Sequence, residues 1–148
     1  MKKLMKIILL AGFCGGMAEL AWITLVSAVT PVNGMEVARQ VSATVLPAMI
    51  GVAGAASAGI VIHLLLSILL AAGFIRVVWL PYSRKLSPAS ALLVATAALS
   101  GVWAINFLII LPVLNPALVS LMPYAVTLTS KILFGIAMGQ GLLRADSM

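Results

Sequence analysis

The sequence predicts an all-α integral membrane protein of four transmembrane helices with short amphipathic outer segments, folded as one domain over 1–148. Composition points there first: 64% of the chain is hydrophobic, 8% is charged, and the mean hydropathy is +1.24. Four apolar runs, at 7–30, 55–80, 89–111 and 120–143, each have the roughly 20 residues needed to cross a hydrocarbon core. The basic residues, finally, cluster at alternate ends of those runs.

That clustering sets the expected topology. Lys2, Lys3 and Lys6 precede the first run, Arg76, Arg84 and Lys85 lie at or after the end of the second, and Arg144 follows the fourth. The two remaining loops carry only Glu36 and Arg39. Basic residues collect on the cytoplasmic side of a membrane, so both termini and the 81–88 loop are expected there, in a bacterial inner membrane. The net charge of +6 is thus a topology signal. It forms no basic stripe suited to nucleic acid.

The first element begins MKKLMKIILLAGFCGG, a basic start and apolar run that also suits a signal peptide. Phe13 before Cys14 excludes a lipobox, and the apolar stretch continues through Trp22 to Val29, so an uncleaved helix is expected. One cysteine allows no internal disulfide or Cys-x-x-Cys pair, and Cys14 reads as a small packing residue. Thr30-Pro31 ends the helix and VNG turns the chain. A short helix over 34–46 follows, with Met35, Ala38, Val41 and Val45 on one side and Glu36, Arg39, Gln40 and Thr44 on the other. Too short to span, it is expected at the outer interface. Pro47 ends it.

The second span leaves through Val78-Trp79-Leu80-Pro81-Tyr82, an aromatic anchor beside the basic loop. The third runs from Ser87-Pro88 to Leu111-Pro112. A charge-free connection, VLNPALVSLMPY, leads into the fourth. Small residues four apart (Gly12 and Gly16; Gly51, Ala55 and Gly59; Gly135 and Gly139) predict close packing of helix backbones inside one bundle rather than across a homodimer. The halves also share spacings: Trp22 and Trp103 each stand nine residues before Pro-Val, and Pro47 and Pro123 each stand twelve before Gly-Ile. They suggest a parallel repeat about an axis along the membrane normal.

Ionisable residues at membrane depth are costly and need partners or a polar site. Counting about 1.5 Å per residue, Glu19 lies roughly 16 Å below Thr30 and Lys131 roughly 12 Å below Pro123, both near the middle of a core about 30 Å thick. No other acidic residue sits at that depth, so Glu19 is the expected partner of Lys131. On the same scale His63 and Asn106 fall within roughly 10 Å of the outer boundary. With Trp22, Trp103, Tyr124 and Thr127 they form a candidate outer polar pocket.

Two readings of these residues stand. In one, Glu19–Lys131 is a structural clasp, with His63 and Asn106 as hydrogen-bonding glue between helices. In the other, Glu19, Lys131 and His63 form a proton or ion path. A single histidine provides no two-histidine haem or zinc site within one chain. Cys14, Met17 and Met138 are the soft donors for a weaker Cu(I) reading. Paired carboxylates, a phosphate-binding glycine loop and HExxH are all missing from the sequence.

The expectation is therefore a non-enzymatic accessory or assembly subunit with no cofactor, embedded in lipid beside another membrane protein or copies of itself. A small oligomeric ion-coupled transporter and a haem- or copper-binding redox component are the alternatives. Topology is directly testable. Reporter fusions after Leu86 and at the C-terminus should report cytoplasm and one near Asn115 the opposite side; a periplasmic C-terminus would remove the four-span reading.

Overall fold

The structure, a computed structural model, describes residues 2–146. It is 90% helix, with no strands among the described residues, and holds four helices long and apolar enough to cross a membrane. These are α1 (Lys2–Val29), α3 (Ala55–Tyr82), α4 (Pro88–Leu114) and α6 (Tyr124–Asp146). Two shorter helices, α2 (Gly34–Val45) and α5 (Pro116–Leu121), fill the connections between α1 and α3 and between α4 and α6.

The ends differ from the expected spans in informative ways. Helix α1 starts at Lys2, taking the three lysines into its first turns, and α6 starts at Tyr124 because 116–121 forms a helix of its own. Neither Pro81 nor Pro112 stops its helix. A proline removes one backbone donor and pushes away the carbonyl four residues back. Here the preceding turn widens instead, into π-helix over Ile75–Trp79 and Asn106–Ile110. The wider turn is visible in the N–H of Leu80 donating to Ile75 O and that of Leu111 to Asn106 O, five residues back.

Helices α1 and α6 pack along each other at the centre, α3 lies against α1, and α4 lies against α6. The resulting order is α3–α1–α6–α4, and α3 and α4 do not pack along one another. Two equivalent halves would require that contact to match α1–α6, so the packing departs from the suggested repeat. The matched glycines confirm the difference: Gly59 meets Ala38 of α2, whereas Gly135 meets Thr96 of α4.

Glycines set the spacing of the other helices. A Cβ on Gly12 would stand 2.5 Å from Ile68 Cα, one on Gly15 would run into the Phe134 ring at 2.6 Å, and one on Gly135 would stand 2.6 Å from Thr96 Cα. The helix-spaced small residues therefore act inside the bundle. The exception is Gly51, which lies before α3 with φ +77 and nothing within 4 Å; it belongs to a turn, not to a helix face. The core so assembled centres on Phe134, Ile75, Leu99, Met138 and Leu142, each essentially inaccessible.

Helix α2 does not simply float at an interface. Asn33 caps it, accepting from the N–H groups of Met35 and Glu36, and the helix lies directly on α3. Its buried residues are Val37, Ser42 and Ala43, while Met35 and Val45 of the expected apolar side are about half exposed. Ser42 is fully buried, since only a small side chain fits where two helix backbones approach. Glu36, outside the spans, accepts from Gln40 and Arg39, and those hydrogen bonds hold its carboxyl below the usual carboxylate range.

A pair of glycine substitutions tests this packing. Gly59→Ala places a methyl group into the Ala38 carbonyl and should lower the thermal unfolding midpoint in detergent. Gly101→Ala, where a Cβ meets nothing within 4 Å, should hold or raise it, by up to about 1 kcal/mol of helix propensity.

Candidate functional site

Among the described residues, the buried charged side chain is Glu19. It is 4% exposed, on α1 where that helix meets α6. Lys131 Nζ on α6 donates to Glu19 Oε2 at 2.7 Å, and Ser130 Oγ donates to Oε1 at 2.8 Å. Both carboxylate oxygens are thus engaged by adjacent residues of one helix. The Lys131 ammonium also lies 5.3 Å from the centroid of the Phe134 ring, which favours a cation over its face. The two charges cancel within the chain and both carboxylate oxygens are hydrogen-bonded, as a buried ion pair requires.

His63 belongs to this cluster and not to a separate outer layer. Its Nε2 lies 3.6 Å from Glu19 Oε2, beyond hydrogen-bonding distance, and is buried without a hydrogen-bond partner. The depth count placed it nearer the outside because helix rise fixes only the backbone; side chains reaching inward close the remaining few ångströms. Ser130, which contributes the second hydrogen bond to Glu19, was not singled out from the sequence. Its position beside Lys131, one of the chain's few hydroxyl groups at that depth, was the available signal.

The cluster lines a cavity of about 880 Å³ between α3 and α4. Ile23 and Ser27 of α1, Ile60 and Leu66 of α3, and Phe107 and Ile110 of α4 line its sides. Glu19, His63, Ser130 and Lys131 supply the polar end, and Val37, Leu118 and Met122 close over it from the other. The expected pocket residues divide accordingly. His63, Asn106 and Thr127 line the cavity; Trp22, Trp103 and Tyr124 do not.

Those three aromatics instead fix the start of α6. Trp22 Nε1 donates to Val126 O at 3.0 Å, and Trp103 Nε1 donates to Thr127 Oγ1 at 2.9 Å. The Trp103 ring stacks on Phe107 at 6.1 Å and meets Tyr124 edge-on at 6.2 Å. Each indole therefore has a polar partner, as a half-buried tryptophan needs, and the cavity wall behind Thr127 is held in place.

A second polar junction holds the cover that α2 and α5 form at the cavity's other end. Asn115, 8% exposed, donates through Nδ2 toward Thr44 Oγ1 at 2.8 Å, Gln40 O at 3.1 Å and Gln40 Oε1 at 3.2 Å. Its Oδ1 accepts from the N–H of Leu118 and so caps α5. One side chain starts α5 and ties it to α2. The Asn115-Pro116 pair, a good helix start, was the sequence signal.

Of the soft donors, Met138 is fully buried and Met17 is 42% exposed. No group of three or more His, Cys, Asp or Glu side chains able to hold a metal occurs among the described residues. No protein-family model matches the chain, no curated protein matches its sequence, and no solved structure matches its fold.

Charge removal distinguishes a clasp from independent residues. Glu19→Gln strands the Lys131 ammonium and should cost about 3–5 kcal/mol of stability. Lys131→Met should cost less, because an isolated carboxyl escapes by taking up a proton. The double variant should regain much of the loss in thermal unfolding in detergent; strictly additive losses would show that the two residues are not coupled.

Proposed function

We propose that the protein is a multi-pass protein of the bacterial inner membrane, both termini cytoplasmic, and serves there as a non-enzymatic accessory or assembly subunit of a membrane complex. The observation that carries this reading is the outer face of α4. Only 11% of its most apolar window is buried, against 44% for α6, because α4 is attached along one side alone. Leu93, Ala97, Gly101 and Ile105 follow one another at four-residue intervals along the helix, and all four are exposed. Nothing lies within 4 Å of a Cβ on Gly101.

Inside the bundle, small residues four apart are filled by neighbouring helices. The Ala97/Gly101 notch is the same motif left unfilled, with Leu93 and Ile105 as flanking knobs. Such a notch lets a second membrane helix approach closely, where dispersion and not hydrophobicity drives association. The partner is another membrane protein or a further copy of the chain.

A transport reading draws on one separate observation: the cavity reaches from the outer cover down to Glu19, Lys131 and His63. Against it, both Glu19 oxygens already accept short hydrogen bonds, an arrangement suited to a static charge.

Solubilisation in mild detergent should recover the protein with a second membrane chain or as an oligomer. Gly101→Leu should lower that recovery several-fold without lowering the thermal midpoint of the isolated chain. Ion- or pH-coupled flux in proteoliposomes holding this chain alone would overturn the accessory role.

A further inference from the structure

The geometry points to the cavity as a binding site for a neutral, lipid-soluble molecule whose carbonyl-bearing head meets Lys131 and His63 and whose apolar tail lies between α3 and α4. At about 880 Å³ the cavity is in the range of small-molecule sites, which are mostly apolar with a few converging polar groups. This inference goes beyond the accessory role and stands on the cavity alone, so its failure would leave partner recovery unaffected.

The chemistry of the head follows from what the polar end offers. Glu19 and Lys131 cancel in charge, so a charged head would enter a low-dielectric space without a counter-ion, at a large desolvation cost. Hydrogen-bonding capacity is not balanced in the same way. Both Glu19 oxygens are occupied. An ammonium has three donors, and Lys131 makes one hydrogen bond, to Glu19. His63 Nε2 is buried with no partner. Lys131 therefore has donors in surplus, which a carbonyl oxygen complements, while the neutral His63 ring presents Nε2 as a donor in one tautomer and an acceptor in the other. Asn106, on the α4 wall of the cavity, offers an amide for a second polar atom.

Depth narrows the class further. The cluster lies roughly 12–16 Å along the helices from their outer ends, within hydrocarbon if the chain spans the bilayer. Strongly hydrated heads stay at the interface, while a quinone-type ring carbonyl enters hydrocarbon readily. An ester carbonyl of a membrane lipid offers the same acceptor and is the other source. Access is sideways: Leu66 and Ile110, on the facing walls, are 46% and 39% exposed.

The test uses the full chain in nanodiscs of ether-linked phospholipid, which has no ester carbonyl, titrated with decylubiquinone. Lipids retained after extraction from ester-lipid membranes are measured in parallel by native mass spectrometry. Saturable quinone binding, weakened about tenfold by His63→Leu, the loss of one hydrogen bond, and abolished by Leu66→Trp supports the site with a quinone-type ligand. Retention of an ester lipid that Leu66→Trp removes, with no quinone binding, supports the same site with a lipid carbonyl. Leu114→Trp, at the 65% exposed rim, serves as the blocking variant if Leu66→Trp lowers the thermal midpoint. Absence of both kinds of binding overturns the proposal, as does binding unaffected by the blocking variant. Blocked binding that His63→Leu leaves unchanged overturns the assignment of the head to His63.

Discussion

The Glu19–Lys131 ion pair joins the first long helix to the last, and the rest of the arrangement is built around that junction. Two opposite charges in a low-dielectric interior cannot separate without each facing a large desolvation penalty. The contact at 2.7 Å therefore fixes both the depth and the rotation of α1 against α6. Ser130 secures the second oxygen, and Phe134, fully buried below, lies against the bare backbone of Gly15. Residues 130, 131 and 134 share one side of a helix, so one surface of α6 supplies hydrogen bond, charge and packing together.

With α1 and α6 clasped at the centre, α3 and α4 are held on either flank and separated from each other. The cavity follows from this order of helices. Its two ends are held by different chemistry: ionic and hydrogen-bonded groups at one, and the Asn115 junction between α2 and α5 at the other. Between them the walls are mainly apolar, with Ser27, Asn106 and Thr127 among them. The result is a space with fixed polar ends and a lateral opening, which a bundle with α3 packed on α4 would not have. The same order leaves α4 attached by one side and its Ala97/Gly101 face unfilled.

Much of this was legible in the residues because the sequence is so poor in charge. A single acidic and a single basic side chain at mid-depth leave one pairing to consider, and the structure brings those two together. The long apolar runs gave the helices, and the glycine spacing gave close backbone approaches. Positions that depend on orientation were less accessible. His63 was assigned too far out because counting along a helix says nothing about which neighbour the side chain faces. Trp22, Trp103 and Tyr124 were grouped with the pocket by depth, yet they point to the start of α6. Prolines 81 and 112 read as stops because their cost can also be met by a π turn, which local sequence does not announce. Asn115 was passed over in a charge-free loop, although its role needs Gln40 and Thr44, some seventy residues away.

The central claim is that Glu19 and Lys131 are in direct ionic contact within one chain. Solid-state NMR on the protein in lipid bilayers reads this without altering any residue. The carboxyl carbon of glutamate is labelled with carbon-13, and the lysine ammonium with nitrogen-15. Only two glutamates, Glu19 and Glu36, are present, and a Glu19→Gln sample assigns their signals. Strong carbon–nitrogen dipolar dephasing of an ionised Glu19 carboxylate, persisting when labelled chains are diluted among unlabelled ones, is the predicted result. A protonated Glu19 carboxyl, no dephasing, or dephasing that vanishes on dilution would contradict it.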